Sequence, residues 1–284
     1  MSQASPSAIS AEQIADWRGA IGRTSVLQQT LDEASLRRFA VAVGADTDVE
    51  KRPPPLAHWA WFLDAAEASR LGPDGHPQRG DGLLPPITLP RRMFAAAKLR
   101  FNTPLILGEP ADLTLTVADL TLRQGKTGDL VFVELDRVLT QRGEVRVIER
   151  QTIVYRGQGE PLPPVAEAPT LDQDTGNLWT PTTVELFRFS AATFNAHRIH
   201  YDQPYARAVE GYPDLVVHGP LTAARLAGLA VRRAGGAPLK TFQFRAVAPL
   251  FVNQPVRLSA GDPSGGLAAT RCDGAIAMSA EATI

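Results

Sequence analysis

The chain has 284 residues, of which 44% are hydrophobic, and a formal charge of -1 at pH 7. That length holds two ordinary domains or one large one, and the near-balanced charge excludes a disordered chain or a nucleic-acid surface of whole-molecule extent. The single cysteine, Cys272, excludes an intramolecular disulfide and a cysteine-rich zinc site.

No apolar run approaches a membrane span, and the first residues carry no basic, hydrophobic leader, so cytoplasmic residence is expected. In chain order, Asp32 can cap a short helix with Leu36, Phe39, Ala40 and Val43 on one face and Gly44 at its end. After Pro53, Pro54 and Pro55, the apolar stretch 56–68 predicts a second helix containing Trp59, Trp61 and Phe62. Residues 72–90 are rich in glycine, proline and aspartate and predict a long loop. Leu113, Leu115 and Val117 alternate with Thr114 and Thr116 as a strand does, and 130–139 and 145–155 predict two more strands. Gln141-Arg142-Gly143-Glu144 is the turn between them.

A proline-rich, aspartate-bearing segment over 157–181 divides the chain into 1–156 and 182–284. The second part opens with a short helix at 184–191. His218-Gly219-Pro220 then leads into a longer helix at 221–232, with Pro220 in the first turn and Gly235 and Gly236 beyond its end. Alanines at 223, 224, 227 and 230 favour that helix and let it pack closely. Strands are expected at 241–247, 255–260, 268–272 and 275–284, with Asp273-Gly274 as a hairpin turn that leaves Cys272 a small hydrophobe.

The two parts resemble each other. Arg100, Pro104, Leu105, Pro110 and Leu113 match Arg245, Pro249, Leu250, Pro255 and Leu258. Gly143, Thr152 and Ile153 match Gly274, Thr283 and Ile284. Leu36, Phe39 and Ala42 match Leu186, Phe189 and Ala192. The common order points to a degenerate duplication. Each half then reads as a central helix embraced by an antiparallel sheet, which hides the apolar faces of both.

Only the second half carries a polar cluster. His197, His200 and His218 are three of the chain's five histidines, and His58 and His76 lie far upstream. His200 can move a proton near neutral pH, and Asn195 can orient a water but cannot act as a base. Asp202 is a candidate to orient a histidine or to bond backbone. Asn195, His197 and His200 do not share one helical face, so an irregular turn is expected. The helix start at Gly219 offers free N–H groups to a developing oxyanion, and a glycine there permits close approach by a carbonyl. A structural role for each histidine is the competing reading. No carboxylate that would complete a zinc site is evident, and no nucleophile elbow surrounds Ser190, so neither a metal nor serine hydrolysis is expected.

The segment from Phe189 to Asp202 resembles MaoC-like hotdog hydratases. Within them it is similar to the branch of mesaconyl-C4-CoA hydratases, itaconyl-CoA hydratases and mitochondrial 3-hydroxyacyl-thioester dehydratases. Leu89-Pro90-Arg91-Arg92-Met93 and Arg100-Phe101-Asn102-Thr103-Pro104-Leu105 carry the likeness to the noncatalytic hotdog of the same enzymes. The resemblance implies an α+β double hotdog with a noncatalytic half over 1–156, a linker over 157–181 and a catalytic half over 182–284. It implies reversible hydration of an α,β-unsaturated acyl-CoA, with a small dicarboxylyl-CoA, mesaconyl-C4-CoA or itaconyl-CoA, as leading substrate and citramalyl-CoA as product. It places His200 as the base, Asn195 where an aspartate usually stands, and the Gly219 N–H at the thioester oxygen. His197, Tyr201 and His218 are expected to shape the pocket. Arg91, Arg92 and Arg245 are candidates for a carboxylate or a CoA phosphate. The resemblance requires no cofactor, since CoA is part of the substrate, and neither nucleic acid nor membrane is expected as partner. A homodimer is compatible with it. A general 3-hydroxyacyl-thioester dehydratase, a thioesterase and a noncatalytic acyl-thioester binding module are the alternatives.

Overall fold

Alternating side chains and tight turns arrange ten strands of the described residues into one antiparallel sheet. The computed structural model describes residues 9–80, 82–125, 128–166, 177–261 and 266–284. The strands are β1 (Thr24–Thr30), β2 (Arg91–Phe101), β3 (Pro110–Gly125), β4 (Gly128–Gln141) and β5 (Glu144–Arg156) from the first half. The second half gives β6 (Leu178–Trp179), β7 (Thr241–Ala246), β8 (Val256–Ala260), β9 (Gly266–Thr270) and β10 (Ile276–Thr283). The sheet runs β1-β3-β4-β5-β2-β7-β10-β9-β8-β6. This order is a palindrome about the β2–β7 pair, where Ala96 faces Arg245 and Arg100 faces Thr241. β2 therefore corresponds to β7 and β5 to β10, in keeping with the internal sequence matches. The turn before β5 places both Arg142 (φ 53°) and Gly143 (φ 75°) in the left-handed region, which suits the twist of a two-residue hairpin.

Five α-helices are described: α1 (Ala11–Arg18), α2 (Glu33–Ala42), α3 (Thr183–Ala192), α4 (Gln203–Ala208) and α5 (Gly219–Arg233). Asp32 caps α2 by accepting the Ser35 N–H at 2.8 Å. Thr182 and Glu185 form a reciprocal capping box on α3. Phe39 of α2 and Phe189 of α3 meet with ring centroids 6.3 Å apart. α5 buries Leu221, Ala223, Ala224, Leu226 and Ala227 against the second half's strands, and its alanines keep the approach close. No helix among the described residues is long and apolar enough to cross a membrane.

One expectation needs correction. Residues 56–68 do not form a helix. A four-residue 3-10 turn, Ala57–Ala60, is followed by extended chain, with Leu56 (φ 62°) and Phe62 (φ 57°) both left-handed. Tertiary partners override the apolar pattern. The Trp59 indole donates to Glu149 at 3.0 Å, the Trp61 indole to the Asp32 carbonyl at 3.1 Å, and the Phe62 N–H to Gln29 at 2.8 Å. These partners stand on three different elements, β5, the start of α2 and β1. The segment 157–181 is described in part. Residues 167–176 lie outside the described residues, but Leu178 and Trp179 already belong to the sheet as β6, and Leu162 is bonded to the Gly211 carbonyl at 2.8 Å.

Candidate active site

α3 ends at Ala192, and Phe194 takes a left-handed φ of 51° that reverses the chain. Asn195 then makes a local turn, its side-chain oxygen accepting the His197 N–H at 2.9 Å. A 3-10 turn, Arg198–His200, follows. This irregular path brings His200 inward, where it is buried. Asp202 sits at the N-cap of α4, accepting the Tyr205 N–H at 3.1 Å and pairing with Arg198 at 2.7 Å. Its role is therefore capping, and it bonds no histidine.

His200 Nδ1 lies 2.7 Å from the Val216 carbonyl. A carbonyl only accepts, so Nδ1 carries the proton and Nε2 keeps its lone pair. Burial pushes His200 down to about 4, with the Val216 bond opposing and His76 adding to the fall. The imidazole is neutral at pH 7, as a general base requires. His218 stacks on it with centroids 3.6 Å apart and planes 20° apart. His218 Nε2 lies 2.9 Å from Ser190 Oγ, while its buried Nδ1 meets no partner. Burial, then His200 and His197, hold His218 well below its ordinary range.

His218 is the N-cap residue of α5 and makes no side-chain cap bond. Gly219 follows in the first turn, where backbone N–H groups have no intrahelical acceptor. A Cβ on Gly219 would stand 3.6 Å from the Phe94 carbonyl, an ordinary contact. The oxyanion role therefore rests on its position at the helix start.

The histidine cluster extends into the first half. His76, from the loop before β2, meets His197 with centroids 4.1 Å apart, and His197 meets His200 at 5.4 Å. Four of the five histidines thus form one contiguous row. Asp74 accepts from His76 Nδ1 at 3.0 Å and from its backbone N–H at 3.0 Å. Burial works against the Asp74 charge, but the His76 bonds outweigh it and hold the carboxyl well below its usual range. Burial, then His76 and His200, push His197 down to about 2. The loop is locked on the second half. Arg198 N–H donates to the Asp74 carbonyl at 2.9 Å, and its guanidinium to the Pro73 carbonyl at 2.9 Å. Gly75 has φ 88°, and a Cβ there would sit 1.9 Å from the Ala196 carbonyl, so only glycine fits. Asp74, His76 and His197 are close enough to be tested as metal ligands. Arg79 and Arg92 stand against them, since both act on His76 as like charges.

The three arginine candidates separate. Arg92, half-buried on β2, faces Tyr155 across the β2–β5 pair, and its charge acts on His76 and His197. Arg91 is buried and bound to Glu210, at 3.2 Å to the carboxylate and through a second bond to the carbonyl. It is spent on tying β2 to the segment after α4. Strand alternation sends Phe242 and Phe244 to the core and leaves Arg245 exposed on the outer face, away from α5. Tyr201 is exposed and its hydroxyl donates to the Ala196 carbonyl at 3.0 Å, bracing the turn from outside.

A model of the hydroxyacyl-thioester dehydratase type 2 family matches residues 56–252. A mesaconyl-C4-CoA hydratase of Chloroflexus aurantiacus is 46% identical over 276 residues, covering 94% of this chain and 97% of that protein. A MaoC-like dehydratase of Phytophthora capsici superposes with a TM-score of 0.67 at 14% identity, over 95% of this chain and 97% of its own. A Mycobacterium tuberculosis protein described as a double hotdog superposes with a TM-score of 0.55 at 12% identity, over 92% of this chain and 95% of its own. The two structural likenesses establish the α+β double-hotdog fold.

Proposed function

The chain belongs to the hydroxyacyl-thioester dehydratase type 2 family of hydro-lyases, and from that premise we propose that it hydrates an unsaturated small dicarboxylyl-CoA, mesaconyl-C4-CoA, to citramalyl-CoA. The observation that carries this reading is the free Nε2 of His200, whose Nδ1 proton is committed to the Val216 carbonyl. His200 Nε2 takes a proton from water as the water oxygen bonds to the β carbon. The alkene electrons move onto the thioester oxygen, which faces the Gly219 N–H at the start of α5. The enolate then collapses as protonated His200 returns that proton to the α carbon, which restores the neutral imidazole, and the reverse sequence dehydrates the hydroxyacyl-CoA. Asn195 spends its carbonyl oxygen on the turn, so its amide NH2 is the group left for water or thioester. In this reading the half from 182 onward performs the chemistry and the half before 157 frames the acyl group. Two such chains form the working dimer.

A thioesterase reading draws on one contact, Ser190 Oγ to His218 Nε2 at 2.9 Å, which has the form of a nucleophile and its base. Its weakness is that His218 is fully buried.

The test is product formation from mesaconyl-C4-CoA, itaconyl-CoA and crotonyl-CoA, followed by liquid chromatography and mass spectrometry. Hydration of mesaconyl-C4-CoA that is lost in His200→Ala is expected. Preference for crotonyl-CoA would overturn the dicarboxylate assignment, and release of free CoA without a hydroxyacyl product would favour the thioesterase. Sedimentation velocity checks the dimer.

A further inference from the structure

We propose that Arg92 binds the carboxylate on the very carbon that water attacks, so that the first half supplies the residue that selects the substrate. This rests on the substrate reading above and adds the partner of its distal group. In mesaconyl-C4-CoA the free carboxylate is attached to the β carbon, beside a methyl group. A group one bond from the reacting carbon must find its partner beside the base, not at the far end of a tunnel.

The first half delivers cations to that place. Arg92 stands on β2 two residues before Phe94, whose carbonyl lies against Gly219 at the start of α5, and its charge acts on His76 and His197, the second of which is the ring adjacent to His200. Arg92 is the cross-strand partner of the buried Tyr155, and its guanidinium offers N–H donors in a fork that fits a carboxylate. Arg92 makes no ion pair among the described residues. Its neighbours are already answered. Arg91 has Glu210. Arg79 donates to the Ile87 carbonyl at 2.7 Å and the Pro90 carbonyl at 2.6 Å, and also feels Asp74. Asp74 is bonded to His76. With the histidines neutral, Arg79 and Arg92 against Asp74 leave one positive charge, which a single substrate carboxylate cancels. A half-buried arginine in that state favours an anion over an apolar group. The locked loop at Gly75 fixes the opposite wall, because His76 is held against His197 by Asp74 and Arg198.

The experiment pairs two thioesters that differ only at this group. In 3-methylcrotonyl-CoA a methyl replaces the carboxylate of mesaconyl-C4-CoA. One measures kcat/KM for mesaconyl-C4-CoA, and the inhibition constant of 3-methylcrotonyl-CoA against it, in the parent, Arg92→Met and Arg92→Lys. Arg92→Met should lower kcat/KM roughly a hundredfold while the inhibition constant stays within about threefold. Arg92→Lys, which keeps the charge but not the fork, should fall between and guards against a folding defect in the first variant. Equal losses in both quantities, or unchanged kcat/KM, would overturn the proposal while leaving the hydratase reading intact. A parent that hydrates crotonyl-CoA but not mesaconyl-C4-CoA would overturn the substrate reading first and this assignment with it.

Discussion

His200 and His218 face each other with ring centroids 3.6 Å apart, and each is pinned by a different partner. Val216 fixes the first through Nδ1, and Ser190 holds the second through Nε2. Two protonated rings could not stack this closely in a buried site, so the pair requires neutrality in at least one and favours it in both. His218 thus acts as a floor that positions the base. Replacing His200 with alanine should lower kcat by about 10²–10⁴-fold, the usual worth of a positioned general base. Steady-state kinetics on mesaconyl-C4-CoA read this directly, and a loss under tenfold would remove His200 from that role.

Ser190→Ala tests the floor. It leaves His218 with both ring nitrogens buried and without a partner, since Nδ1 already has none. Leaving such a group unsatisfied costs about 1–3 kcal/mol, which urea unfolding resolves. If Ser190 were instead a nucleophile, the variant would lose thioester cleavage with no loss of stability.

The histidine row also sets a pH dependence. His200 and His197 are pushed down to about 4 and about 2 by burial, and His218 falls well below its ordinary value. Below the ordinary value of 6.5 the unfolded chain takes up protons that the folded chain refuses. Stability therefore falls as pH drops from 6.5 towards 4, by up to roughly 1.4 kcal/mol per pH unit for each such group. Above 6.5 these groups contribute no slope. The acid limb of kcat/KM should likewise lie well below 6.5 if His200 is the base. Chemical denaturation between pH 4 and 7 checks the first statement, and a flat profile there would contradict a neutral buried row.

What could be read in the sequence follows local chemistry. Asp32 and Gly44 mark α2, Pro220 marks the start of α5, and Asp273-Gly274 marks the last hairpin, because caps and turns act within a few residues. The palindromic strand order repeats the internal matches, since β2 and β7 carry the shared arginines. Long-range partners were not legible. Trp59 and Trp61 spoil a good apolar pattern by bonding to Glu149 and Asp32. His76 reaches His197 from a loop that composition marks only as irregular. The available signal was the Asp74-Gly75-His76 triplet, an aspartate and a histidine around a glycine within a long loop. Tertiary packing alone tells Arg92, which has no ion pair among the described residues, from Arg91, its neighbour in sequence, which is paired with Glu210.

Glu149 is the clearest case of a group placed by packing. It is fully buried on β5 and gathers His58 at 3.1 Å, the Trp59 indole at 3.0 Å, Gln151 at 2.8 Å and Arg137 at 3.2 Å. The duplication pairs Glu149 with Ala280 of β10, one of the small residues buried in the half that carries α5. In the first half, where 56–68 is not helical, the carboxylate instead tethers a 3-10 turn to the sheet. Burial opposes its charge, but His58 and Arg137 outweigh this and hold it at about 2. Glu149→Ala strands the Arg137 guanidinium and three hydrogen-bonding groups, those of His58, Trp59 and Gln151, and should cost about 3–5 kcal/mol. Glu149→Gln keeps an acceptor for the indole and should lose less. Denaturant midpoints of both variants decide the matter. Should Glu149→Ala unfold within about 0.5 kcal/mol of the parent, the typical scatter of neutral surface changes, the turn is held by its apolar contacts with Phe94 and Phe244 and the carboxylate is dispensable.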